Sequence, residues 1–228
     1  YMFQYCTSLQ EIPVLNTSKV TNMTAMFQRC LALVKIPALN TSKITSATSL
    51  FYECESLEEI PELNFNLVTN MSNTFQSCKK LKHISFTSTN KLTNMLATFS
   101  GCASLLALPP LDTSNVTIMQ ALVSGCTSLK ELPELNTSKV TTMEYMCQNC
   151  ASLEKVPILD TSAVTIFSSV FTNCPNLTDE SLNNILQMCV DAIKLTSTYK
   201  NLKSVGLSAE QATRCQSLSN YQAFVDAG

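Results

Sequence analysis

A cysteine that returns every 24 residues constrains this chain more than any other feature. It stands at Cys6, Cys30, Cys54, Cys78, Cys102, Cys126, Cys150 and Cys174. Its surroundings return with it, in the pattern of Cys6 to Arg29, CTSLQEIPVLNTSKVTNMTAMFQR. A fixed period of about 20 to 50 residues marks a solenoid, in which equivalent residues stack rung on rung. Counting each cysteine as position 0, position 3 is leucine from Leu9 to Leu177, and position 6 is Ile, Leu or Val. Position 9 is leucine in every full copy but the fourth, which has Thr87, and position 14 is always aliphatic. Methionine dominates position 17 and phenylalanine position 21. One turn thus offers about seven inward side chains, too few to bury alone, so the turns must share one core.

The same spacing predicts local structure. Leu-x-x-Ile followed by Pro reads as a short strand, ended because Pro cannot donate to a ladder. Asn-Thr-Ser at positions 10 to 12, as in Asn16-Thr17-Ser18, is turn chemistry. Thr at position 15, from Thr21 to Thr165, precedes a Met-x-x-Met/Leu-Phe spacing of helical type. It predicts an N-cap on one short helical or 3₁₀ turn, the alternative being a stacked threonine ladder on a third strand. The fourth copy has no Pro, and His83 to Ser88 alternates as a better strand than its neighbours offer. The third copy carries Asn64-Phe65-Asn66-Leu67 in place of the Thr-Ser pair. This junction is either a change of curvature or interaction feature, or drift in a redundant array.

After Cys174 the period stops. Thr178 before Asp179 and Glu180 predicts a helix start, with Leu182, Ile185, Leu186, Cys189, Val190 and Ile193 following at helical spacing. Ser208-x-x-Gln211 matches a capping box for a second helix through Arg214. Asn220 to Ala227 suggests a third, carrying Tyr221, Phe224 and Val225. Residues 1–173 are therefore expected to be the array and 174–228 a helical C-terminal cap. Tyr1 to Cys6 matches Ala25 to Cys30, so the chain is expected to be a fragment whose targeting signals lie upstream.

The motif Met26-Phe27-x-x-Cys30-x-x-Leu33-x-x-Ile36-Pro37, with Leu135-Asn136-Thr137-Ser138-Lys139-Val140-Thr141-x-Met143, resembles the BspA-like leucine-rich-repeat surface proteins. The resemblance runs over positions 1 to 177. It implies an α/β leucine-rich-repeat solenoid, right-handed, with a parallel sheet on one face, used for adhesion or protein binding on a bacterial surface and not for catalysis. Family repeats often place an extra strand residue or two before the Asn-Thr-Ser turn. Here Pro follows directly, which implies a shorter strand and a different curvature.

Composition narrows the function further. Charged residues make up 14% and the net charge is −2, without the basic footprint of a nucleic-acid binder. Charges repeated at one position would face their own copies about 4.8 Å away, so Ser, Thr and Asn carry solubility instead. No apolar run approaches the roughly 20 residues of a membrane helix. The thiols of a parallel stack would sit about 5 Å apart with aligned vectors, a poor fit to disulfide geometry, so they read as small buried hydrophobes. Cys147-x-x-Cys150 has redox and zinc spacing, but Cys150 is a ladder member, Cys147 fills a Phe place, and no second ligand pair exists. The one histidine, His83, has no orienting partner and reads as solvated. Asn-x-Ser/Thr matches follow from repeated turn chemistry and make weak glycosylation sites. No catalytic, cofactor-binding or metal residue is therefore assigned.

Variation survives at positions 4 and 5, between the fixed Leu and Ile. Gln10, Glu11, Lys35, Glu58, Glu59, Lys82, His83, Lys130, Glu131, Glu154 and Lys155 form a mixed-charge column with an apolar gap at Leu106-Ala107. Positions 22 and 23 vary as well. Side chains that stack in a core must repeat, and those facing water need not. The column is the candidate binding face, for a protein or glycan on a host or neighbouring cell, in a monomeric, cell-surface or secreted bacterial or phage-borne protein. A spacer array that only sets distance is the rival reading. An enzyme, or an ice-binding surface built on the Thr column, is a third.

Overall fold

The structure is a computed structural model that describes residues 2–193 and 204–227. Tyr1, residues 194–203, Gly228 and the side chain of Ile193 lie outside the described residues. The chain is a repeat solenoid in which each 24-residue turn is one rung. The expected inward columns are inward: Cys30 to Cys150, Leu33 to Leu153 and Met23 to Met143 are buried along the stack. Phe3, Phe27, Phe51, Phe75 and Phe99 stack face to face, with centroids 5.5 to 5.7 Å apart. Each such pair adds about 0.5–1.5 kcal/mol beyond the area it buries.

The rungs are joined differently from the expected sheet. Among the described residues there are only isolated parallel bridges, at position 5 (Lys35 to Glu59, Glu131 to Lys155), along position 16 from Ser46 to Ile166, and between Leu63 and Phe86. The Pro at position 7 removes a donor, so pairing on the first face does not propagate into strands. The expected helical turn also gives way. The N–H groups of Ala47, Ser49, Phe51 and Glu53 donate to carbonyls of the next rung, those of Asn70, Ser72, Thr74 and Gln76, at 2.7 to 3.0 Å. The intervening Leu50, Tyr52 and Cys54 donate three residues back, at 3.0 to 3.2 Å. The segment is a run of turns, and a helix would have spent within one rung the donors that bind the stack together.

That alternation requires left-handed backbone at positions 19 and 23, as at Ser49 (φ 54°) and Glu53 (φ 56°). Such residues cost roughly 1–2 kcal/mol each unless they are glycine, and the bonds to the next rung offset this. Gly101 and Gly125 occupy position 23 without that cost.

Threonine at position 15 is not an N-cap. The hydroxyls of Thr69, Thr93, Thr117, Thr141 and Thr165 each donate to the carbonyl of the preceding rung's Thr, at 3.1 to 3.3 Å. Of the alternative, the stacked threonine ladder is found, but beside isolated bridges and not on the third strand expected with it. Turn capping falls one residue later, where Asn22, Asn70 and the equivalent Asn94 accept the N–H two residues on at 2.8 to 2.9 Å. Threonine at position 11 is more than turn chemistry. Thr17, Thr41, Thr89, Thr113, Thr137 and Thr161 are buried. Their hydroxyls reach the next segment's backbone, as in Thr137 donating to the Asp160 carbonyl at 2.9 Å.

The departures in the third and fourth rungs prove to be a single packing solution. Phe65 takes the buried Thr place and stacks on Phe86 at 5.0 Å. Leu63 bridges Phe86 rather than Thr87, and Thr87 turns outward. The register therefore slips by one residue and is restored at Thr89, whose hydroxyl accepts the Asp112 N–H at 2.7 Å.

Three helices follow the last rung: α1 (Asp179–Ile193), α2 (Ala209–Cys215) and α3 (Tyr221–Ala227). The Thr178 hydroxyl accepts the Ser181 N–H at 3.2 Å at the start of α1. Ser208 and Gln211 form the full capping box of α2. Leu182, Ile185, Leu186, Cys189 and Phe224 are buried as expected, whereas Val225 faces solvent. Between α1 and α2, Ser204 and Val205 imitate one more rung: their carbonyls accept the N–H groups of Ser169 and Phe171 at 2.7 and 2.8 Å. Gly206 makes this close approach possible, since a Cβ there would lie 2.4 Å from the Thr172 nitrogen.

Candidate functional site

The thiol ladder is interior. Every cysteine but Cys6 is buried, and all are free thiols. From Cys30 to Cys174 each ladder thiol donates to the position-21 carbonyl of the rung behind, as in Cys102 to Phe75 at 3.1 Å. Burial pushes the Cys102 thiol up to about 12 and those of Cys78 and Cys126 well above their ordinary value. A nucleophile needs the thiolate, so these groups are poorly suited to chemistry. Cys147 sits buried in the phenylalanine column, as its position implies.

The structure places all eleven candidate residues at the surface: Gln10, Glu11, Lys35, Glu58, Glu59, Lys82, His83, Lys130, Glu131, Glu154 and Lys155 are exposed. Leu106, at the apolar gap, is 49% exposed. The backbone aligns them. Val34 donates to the Gln10 carbonyl at 3.1 Å, Glu58 to Val34 at 3.0 Å, Leu106 to Lys82 at 3.3 Å and Glu154 to Lys130 at 2.8 Å. Some of their charge is spent between rungs, in Lys35 to Glu11 at 3.3 Å and Lys80 to Glu58 at 3.5 Å.

Two grooves open on this face. One, of about 680 Å³, is lined by Lys35, Glu58, Glu59, Lys80, Lys82 and His83, with Ile36, Ile60 and Pro61 among its apolar contacts. The other, of about 410 Å³, lies beside Glu131, Lys155 and the start of α1. Sequence reasoning missed Glu55, Lys79 and Lys80, which extend the face. Lys79 pairs with Glu55 at 2.9 Å. The signal was present, since positions 1 and 2 also vary, from Thr7-Ser8 to Glu55-Ser56 and Lys79-Lys80.

Rung-on-rung burial, parallel bridges and an exposed variable face define a repeat solenoid, and no group of metal-ligating side chains is assembled among the described residues. The chain matches the family described as "Mycoplasma protein of unknown function, DUF285" over residues 1–108 and again over 93–205. It belongs to that family, whose repeats are of the BspA-like type that its motif resembles. A leucine-rich repeat protein of T. pallidum is 20% identical, with 72% of this chain and 74% of that chain covered and a TM-score of 0.47. A leucine rich cell surface protein of Faecalibacterium prausnitzii is also 20% identical, with 77% and 66% covered and a TM-score of 0.30. No curated protein sequence matches. Among the described residues no helix is long and apolar enough to cross a membrane.

Proposed function

We propose that this chain is a non-enzymatic binding module of a bacterial surface or secreted protein, which engages a protein or glycan on another cell through positions 4 and 5 of its rungs. One observation carries the reading: the inward columns repeat, while positions 4 and 5 differ from rung to rung and lie exposed and aligned on one face. Residues 1–173 would be the working array, and 174–228 the cap that shields its last rung. The test uses the triple variant Glu58→Ala, Lys82→Ala, Lys130→Ala against immobilised extracellular-matrix proteins and arrayed host glycans. Binding should drop about tenfold while Tm stays within about 2 °C, since exposed substitutions usually change stability by under about 0.5 kcal/mol.

The inter-rung ion pairs Arg29 to Glu53, Lys35 to Glu11 and Lys79 to Glu55 favour a second reading, a spacer whose charges satisfy one another. In that case the triple variant behaves as the parent, and deleting one whole rung changes reach and activity.

A further inference from the structure

Charge in the array follows a rule along its length. Wherever adjacent rungs both carry a charge at one position, the signs alternate, as in Glu11, Lys35 and Glu59 at position 5 or Lys130 and Glu154 at position 4. Some of these neighbours touch, such as Arg29 with Glu53 at 3.0 Å and Lys79 with Glu55 at 2.9 Å. Position 13 is the exception. It holds Lys19 and Lys43 on the first two rungs, then Lys91 and Lys139, and no acid in any rung. Like charges one rung apart, with backbones about 4.8 Å from each other, oppose the stacking of those rungs.

The fold gathers this column along the turn edge of the solenoid. Val20 donates to Thr17 at 2.9 Å and Ile44 to Thr41 at 3.2 Å, so Ser18-Lys19 and Ser42-Lys43 are the centres of tight turns. The alignment from rung to rung is direct at Lys139, whose Nζ donates to Asn115, the position-13 residue one rung back, at 2.7 Å. Lys19, Lys43 and Lys91 are exposed, and their ammonium groups have no ion pair or hydrogen bond among the described residues. Beside them, the Oδ1 atoms of Asn16 and Asn40 each accept the N–H and the hydroxyl of the serine two residues on, at 3.2 and 2.7 Å. Each amide is thereby oriented, with its Nδ2 a donor that has no partner among the described residues. A hollow of about 630 Å³ opens along these turns, with Glu62 the one acid on its wall. It shares no lining residue with the two grooves of the variable face.

We propose that this edge is a second binding surface, separate from positions 4 and 5, for an anionic polysaccharide laid along the rungs. Anionic groups on the sugar chain meet Lys19 and Lys43 and relieve their repulsion, and Lys91 takes another two rungs further on. Sugar oxygens accept from the Asn16 and Asn40 amides. The chemistry of the edge selects this class of ligand: cationic and amide donors face out together, and one rung step is close to the advance of one sugar residue along an extended chain. A single nucleic-acid strand is held by aromatic side chains under its bases, and positions 10 to 13 expose no aromatic ring, since Phe65 is buried.

The test measures binding of the full chain to heparin oligosaccharides, to uncharged dextran of matched length, to single-stranded oligonucleotides and to vesicles of phosphatidylcholine with phosphatidylserine. Heparin should bind, more weakly as salt is added, and dextran should not. The double variant Lys19→Gln, Lys43→Gln should weaken heparin binding about tenfold, the scale of two exposed ion pairs, while its Tm holds or rises as the repulsion is removed. Glu62→Gln should strengthen binding about twofold, because its carboxylate repels the ligand. The side-chain amide shifts of Asn16 and Asn40 should follow the titration. The triple variant Glu58→Ala, Lys82→Ala, Lys130→Ala should bind heparin as the parent does, so failure of the variable face and failure of this edge are read apart. The proposal is overturned by absence of heparin binding, or by binding that the double variant keeps and the triple variant loses. Oligonucleotide or vesicle binding equal to that of heparin overturns it as well.

Discussion

The ladder thiol illustrates how one side chain serves both packing and bonding. The Cys102 side chain fills a small inward place and donates to the Phe75 carbonyl at 3.1 Å. Burial raises its ionisation to about 12, against about 8.5 for a thiol in an unfolded chain. The sign follows from which state loses protons first. Below about pH 8.5 both states hold the proton and the thiol's contribution is complete; above it the unfolded chain ionises first, so stability falls as pH climbs toward 12. The Cys102 thiol should remove about 1.4 kcal/mol per pH unit in that window. Urea melts between pH 8 and 11 should show this decline, and Cys102→Ala should flatten it by about one proton while costing about 1–2 kcal/mol at neutral pH. Equal slopes for parent and variant would show that the thiol is not held protonated by the fold.

At the scale of the element, the third and fourth rungs show that two irregularities can be one structure. Phe65 replaces the buried Thr and needs space, which Phe86 makes by taking the inward place that Leu holds elsewhere. Phe86 also approaches Phe75, at 6.0 Å. Phe65→Thr would restore the repeat pattern and yet should destabilise by about 3 kcal/mol, because it leaves a void beside Phe86. In a double-mutant cycle with Phe86→Ala the losses should fall short of additive by about 1 kcal/mol or more, measured by chemical denaturation. Full additivity would mean that the two rings are independent. Sequence alone reported both departures but gave no means of joining them, since Phe65 and Phe86 lie 21 positions apart and off the period. The first two helices were legible in the sequence because their caps are local, and the third through the spacing of Tyr221 and Phe224. The added rung at Ser204 and Val205 was not legible, because its bonds reach back to Ser169 and Phe171.

For the whole molecule, quasi-one-dimensional stacking makes length a variable. Removing residues 102–125 joins Gly101 to Cys126 with every column in phase. The product should unfold cooperatively, with scattering showing an array shorter by about 4.8 Å. Removing only 102–124 puts all later rungs out of phase and should leave residues beyond 101 without a native core. If the first deletion fails to fold, the rungs are not interchangeable units. The first deletion also separates the functional readings, since it spares the third and fourth rungs: binding through Glu58 and Lys82 should survive it, whereas a spacer's reach would not.

By itself the sequence determined the rung length, the columns that point inward, the aligned and variable face, and the three helix starts. Each follows from periodicity or from contacts a few residues long, and a residue that must stack on its own copies has to repeat. What only the tertiary structure decided is how the backbone is spent. Threonine at position 15 became a ladder and not a cap, and a helical spacing became turns, because these donors bond to the neighbouring rung rather than to their own; the expected sheet became single bridges because Pro at position 7 withholds a donor. That Phe65 meets Phe86 likewise depends on the register of two neighbouring rungs, which no spacing within either rung encodes.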